Sequence, residues 1–154
     1  MTLFYDVFNG DADGICALHQ LRLEQPQAAE LITGVKRDID LVARVKATAG
    51  DEITVLDISF ARNAAAVEAA LDAGAKVHYF DHHYAGDLPG HRNLNVVIDT
   101  APDVCTSLLV DRYLEGRERI WAVVGAFGDN LSAAATNAAS LERPGLITIY
   151  DPIL

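Results

Sequence analysis

The chain is short of cysteine, of basic residues and of long apolar runs, and each shortage closes a class of function. Cys16 and Cys105 are the only cysteines in 154 residues, and both sit in apolar, helix-like surroundings. They read as buried, reduced thiols of a cytoplasmic protein, not as a disulfide or a metal pair. Lysine and arginine number 12 against 22 acids, a formal net charge of −10, which argues against an extended groove tracking a nucleic-acid backbone. A nucleotide or the end of an oligonucleotide remains compatible, because acids gathered around metal ions would be neutralised there. No stretch approaches the roughly 20 apolar residues that span a bilayer. The first residues, MTLFYDVFNGDADG, have no basic n-region and reach an acid at Asp6, so they do not read as a signal peptide. No membrane association is expected.

What is present fits one domain. Hydrophobic residues make up 51% of the chain, enough for a sizeable core. Leu3 to Phe8, Leu31 to Val35, Ile53 to Leu56, Val77 to Phe80 and Val96 to Ile98 read as strands. Ile15 to Leu23 and Arg62 to Asp72 carry helical spacing between them, with Gly74 as a stop. Asp38 reads as the cap of a helix through Leu41, Val42 and Val45. Three further helices are expected at Cys105 to Leu114, about Glu118 to Phe127 and near Leu131 to Leu141. Alternation of this kind predicts an α/β fold, a mostly parallel five-stranded sheet flanked by helices in a Rossmann-like arrangement. The LITIYDPIL tail, after Arg143-Pro144-Gly145, has a strand-like pattern and no firm assignment.

Open α/β sheets bind ligands beyond the carboxyl ends of their strands. The first strand runs into Asn9-Gly10-Asp11-Ala12-Asp13-Gly14. The third ends at Asp57, the fourth at Asp81-His82-His83 and the fifth at Asp99. Four strands thus deliver carboxylate to one edge, where mutual repulsion demands a raised pKa, a cation or strong hydration. Imidazoles beside the acids favour Mn, Zn, Co or Fe over Ca. The Gly10 to Gly14 loop does not match GxGxxG, and two acids there would repel a bare pyrophosphate, so a dinucleotide cofactor is set aside. Turn chemistry competes at every position. Asp99 alone reads as a cap or turn former, Asp11 or Asp13 alone is evenly balanced, and His19, His78 and His91 read as surface or helix-face residues.

Taken together, these motifs resemble the DHH phosphoesterase family, which includes single-strand-specific exonucleases, oligoribonucleases, cyclic-dinucleotide phosphodiesterases and family II inorganic pyrophosphatases. Asn9-Gly10-Asp11-Ala12-Asp13-Gly14 resembles the first motif in its exonuclease variant. Asp57 after Ile53-Thr54-Val55-Leu56 looks like the second, Asp81-His82-His83 the third, and Gly128-Asp129-Asn130 the fourth. The resemblance covers about residues 1–131.

The resemblance implies roles. Asp57 would bridge two divalent ions, Asp11 would bind the first, and Asp13, His82 and Asp129 would help bind the second. Manganese is the expected ion, with Mg²⁺, Co²⁺ or Zn²⁺ as alternatives. His83 would contact the scissile phosphate or assist the leaving group, and Asp81 would orient a histidine. The implied activity is two-metal hydrolysis of a phosphoester in a nucleotide, short oligonucleotide or other small phosphate substrate. Lys36-Arg37, after the second strand, is a candidate phosphate contact, with a solvated loop pair as the competing reading. Two departures stand out. Asn9 occupies a ligand position that is usually Asp or His. The chain also ends about 25 residues after Asp129, short of the second domain that usually supplies substrate contacts. A homo-oligomer that completes the cleft is therefore expected, and a catalytically weak nucleotide- or metal-binding module is the alternative function. A haloacid-dehalogenase-type phosphatase, from the Asp11–Asp13 spacing, leaves His82 and His83 idle. A receiver-type domain lacks a convincing lysine.

Overall fold

A computed structural model describes residues 1–35 and 37–142. Lys36 and the LITIYDPIL tail lie outside the described residues. Among the described residues the sheet has five strands: β1 (Phe4–Asn9), β2 (Glu30–Gly34), β3 (Glu52–Leu56), β4 (Lys76–Asp81) and β5 (Leu94–Ile98). Five helices accompany them: α1 (Ala12–Glu24), α2 (Phe60–Asp72), α3 (Thr106–Tyr113), α4 (Arg119–Gly128) and α5 (Ser132–Glu142). The strand order is β2-β1-β3-β4-β5 and every pairing is parallel. The α/β expectation holds, and the sheet is wholly parallel where a mostly parallel one was expected.

Both faces of the sheet are covered, as parallel sheets require. Tyr5, Val7, Ile53, Val55, Val77 and Tyr79 alternate along their strands and pack with Phe60, Val67 and Leu71 of α2. Phe8, Leu56 and Phe80 point to the opposite face and meet Ala17, Leu18 and Leu21 of α1 and Val110 of α3. A third cluster joins Leu108 of α3 to Ala122, Val123 and Ala126 of α4 and to Ala135, Ala138 and Ala139 of α5. Both cysteines are buried and free, as expected.

One element differs from expectation. The helix after Asp38 is only a single 3-10 turn, Val42–Arg44. Asn63 of α2 explains why: its Oδ1 accepts from Val42 N at 3.3 Å and its Nδ2 donates to Ile39 O at 2.7 Å. Those backbone groups, which a helix would pair internally, are taken by a side chain.

The topology also fixes where a ligand site belongs. β2 lies on one side of β1 and β3 on the other, so the connections leave β1 in opposite directions. The crevice beyond the carboxyl ends of β1 and β3 is such a switch point. Asn9 to Asp13 follow β1, and Asp57 follows β3.

Candidate metal centre

Asp11 opens α1 as its N-cap, and its Oδ1 accepts from the N–H groups of Asp13 at 3.1 Å and Gly14 at 3.2 Å. The chain doubles back so tightly that a Cβ on Gly14 would lie 2.2 Å from Asn9 O. Only glycine fits, and this brings Asp13 into the interior. Asp13 is 1% exposed. Its carboxylate accepts from Thr106 N at 2.8 Å and Ser107 N at 2.7 Å, the opening residues of α3, and from the Ser107 hydroxyl. Free N–H groups and the positive end of a helix meet the buried charge.

Asp57 stands in the left-handed region at φ 59° and is 2% exposed. A non-glycine residue there stores strain of roughly 1–3 kcal/mol, a cost that clusters at functional sites. Its Oδ1 accepts from Thr106 Oγ1 at 3.1 Å and lies 3.3 Å from His82 Nε2. His82 Nε2 is also 3.7 Å from Asp129 Oδ2. At its other ring nitrogen, His82 Nδ1 stands 3.0 Å from Val104 O. A carbonyl only accepts, so Nδ1 carries the hydrogen and Nε2 is the atom free for a ligand role.

Asp129 caps the end of α4, and Asn130 follows in the left-handed region at φ 60°. Asparagine tolerates that conformation, which turns the chain just after Asp129. α4 approaches closely because Gly125 has no side chain. A Cβ there would lie 2.0 Å from Ser107 Oγ and 3.3 Å from Asp13 Oδ1.

Two groups of side chains are thereby assembled: Asp13, His82 and Asp129, and Asp57, His82 and His83. Within each, the possible ligand atoms lie within 4.8 Å of one another. His82 belongs to both. Asp81 is fully buried and bonded to His82 N, Phe60 N and His83 Nδ1, the last at 2.7 Å. Through these bonds it ties the histidine loop to the start of α2. Asp11 is committed to the helix cap and lies outside both groups. Asn9 Oδ1 is a buried atom with no hydrogen-bond partner among the described residues. Arg37 lies in an exposed turn after β2. Asp99 accepts from Ala101 N at 3.0 Å, the turn role read for it.

Sequence reasoning missed Thr106, Ser107 and Val104, which position Asp57, Asp13 and His82. The one available signal was a Thr-Ser pair at the start of a helix. Removing the Thr106 hydroxyl tests its part. Thr106→Val is expected to weaken divalent-ion affinity about 10–100-fold, the usual effect of losing a partner behind a ligand. Isothermal titration with Mn²⁺ checks this, and unchanged affinity would relegate Thr106 to packing.

The buried charges of the cluster act strongly on one another. Burial pushes Asp57 up from 3.8 to about 7, against the hydrogen bond from His82 and with help from the charges of Asp13 and Asp11. Burial alone would depress His82, but the hydrogen bond and charge of Asp57, with Asp13 and Asp129, raise it from 6.5 to about 9. A proton thus sits on the Asp57–His82 pair at neutral pH, where a cation would otherwise go. Both groups bind protons more tightly folded than unfolded. Their stabilisation is complete at low pH and is lost as pH rises, through about 7 for Asp57 and about 9 for His82. Asp51 works in the opposite sense: N–H groups of Leu3 and Thr48 hold its carboxyl below the usual range, so its stabilisation is lost in acid. In chelator, the site's contribution to Tm is expected to fall between pH 4 and 9, while the Tm gain on adding Mn²⁺ rises. Scanning fluorimetry across pH with and without Mn²⁺ measures both. A metal gain that is flat with pH would mean that no proton is displaced.

No family model matches the chain, and no curated protein matches it in sequence. Solved structures do. The exonuclease RecJ bound to manganese aligns with a TM-score of 0.55 and 18% identity, over 89% of this chain and 43% of its own. CDC45 from Entamoeba histolytica aligns with a TM-score of 0.59 and 10% identity, over 91% of this chain and 34% of its own. The likeness is one of fold, and the chain spans less than half the length of either of these proteins. Among the described residues no helix is long and apolar enough to cross a membrane.

Proposed function

We propose that the chain is a divalent-metal-dependent phosphoesterase acting on a nucleotide, a short oligonucleotide or a related small phosphate. The observation that carries this reading is the convergence of Asp13, Asp57, His82 and Asp129 at the switch point of a DHH-type sheet. Three carboxylates beside one imidazole are a donor set for a divalent transition ion, and the solved RecJ structure is manganese-bound. Asp13, His82 and Asp129 would hold one ion, Asp11 would contribute to a second, and Asp57 would bridge the two positions. Bound ions supply Lewis acidity, polarising phosphoryl oxygen and acidifying water. The rest falls to the chain's own residues. Asp13 and Asp57 are locked by α3, so the donors need little reorganisation. His83, with its side chain 46% exposed, presents Nε2 to solvent while Asp81 holds Nδ1. It would give a proton to a departing oxygen. Arg37 would meet an outlying phosphate.

The test is turnover of phosphomonoesters, dinucleotides, short oligonucleotides and pyrophosphate with Mn²⁺, Mg²⁺, Co²⁺ or Zn²⁺. Release of phosphate or nucleotide that chelator abolishes is expected. Asn9 favours a second reading, a module that binds nucleotide or metal without turnover. Tight nucleotide binding by calorimetry with no hydrolysis in any ion would establish that reading instead. The proposal includes self-association, and a strictly monomeric sedimentation profile at high concentration would remove this part.

A further inference from the structure

We infer that the two ion positions of this chain are unequal: one divalent ion binds tightly at Asp13, Asp57, His82 and Asp129, and a second, beside Asp11 and Asn9, binds weakly. The inference rests on the metal-dependent reading above and concerns what Asn9 does to it.

The two halves of the centre are built differently. The tight position draws three carboxylates and an imidazole from four separate stretches of chain: Asp57 and Asp129 stand 3.3 and 3.7 Å from His82 Nε2, and Asp13 groups with His82 and Asp129. Two of its carboxylates, Asp13 and Asp57, are held in place by Thr106 and Ser107. The other position has only Asp11 as a charged donor of its own. One oxygen of Asp11 is already spent on two N–H groups of α1. Position 9 adds an amide, uncharged whichever way it is turned. Its Oδ1 is buried without a partner, an acceptor left open at the end of β1. That open acceptor marks a place where a cation fits, but it brings no charge to hold one. Divalent-ion affinity falls steeply as anionic ligands are lost. The weak position is therefore expected to bind about tenfold or more below the tight one, filling only at high metal concentration.

Asn9→Asp should restore the missing charge. Metal-stripped wild type and Asn9→Asp would be titrated with Mn²⁺ by calorimetry and followed by electron paramagnetic resonance. Wild type is expected to take one tight equivalent with a single-ion spectrum. Asn9→Asp is expected to take two, with the spectrum of a spin-coupled pair. Asn9→His, which exchanges the amide for a stronger though uncharged nitrogen donor, takes its place should the added carboxylate prevent folding, which circular dichroism reports. Two equal tight sites in wild type would overturn the inference and leave the proposed function standing. One tight site in both folded variants would overturn it equally. Wild type that takes no ion at all would remove the inference and the metal-dependent reading together.

Discussion

Asp57→Asn is expected to leave the chain folded, unresponsive to Mn²⁺ and at least roughly 10³-fold slower. The loss should exceed the 10²–10³ that a single missing oxyanion donor costs, because Asp57 is proposed to serve both ion positions. The fold should survive for local reasons. Asparagine has the shape of aspartate and tolerates φ 59° as well as any side chain larger than glycine. It still accepts from the Thr106 hydroxyl. It also removes a carboxylate that burial disfavours so strongly that its pKa rises to about 7. In chelator, the Tm of the variant should therefore match or exceed that of wild type above pH 7. With Mn²⁺ the order reverses. An ion at 100 times its Kd stabilises by about 2.7 kcal/mol, roughly 5–10 °C for a chain of this size. Wild type should show that gain and Asp57→Asn should not. A variant that keeps both the Mn²⁺ gain and the turnover would refute the bridging role.

How much of this was legible in the sequence follows from the topology. A parallel α/β sheet sends the carboxyl ends of its strands to one edge, so reading Asp57 and Asp81-His82-His83 as strand terminators already placed them together. Asp129 was legible only through the resemblance, since nothing in an Ala-rich helical stretch says that α4 ends beside His82. The close approach that puts it there depends on Gly125 meeting Ser107, a contact between helices that no local pattern records. The α3 residues were hidden for a related reason. Two of the contacts on Asp13 are backbone N–H groups, which every residue but proline owns. The misread helix after Asp38 shows the converse. Leu41, Val42 and Val45 have helical spacing, yet a distant asparagine captured the backbone groups that such a helix needs.

His83→Gln should separate chemistry from metal binding. His83 lies in one of the two assembled groups, but its Nδ1 is bonded to Asp81 and its side chain is half exposed, which suits a proton donor facing substrate. The hydrogen bond that His83 Nδ1 gives to Asp81 raises its pKa above 6.5, opposed by burial and by the charge of His82, which favours the protonated ring over the neutral one. Glutamine keeps a polar group of similar reach and cannot deliver a proton. Turnover should fall about 10²–10⁴-fold, the range for a lost general acid, with Mn²⁺ affinity nearly unchanged. The loss should be largest for substrates with a poor leaving group and small for an activated aryl phosphoester, whose leaving oxygen needs no proton. Asp81→Asn should move the alkaline limb of the kcat profile to lower pH, because the partner that raises His83 is gone. Equal losses on activated and ordinary esters would mean that His83 acts on phosphate charge or holds metal, and that the proton comes from elsewhere.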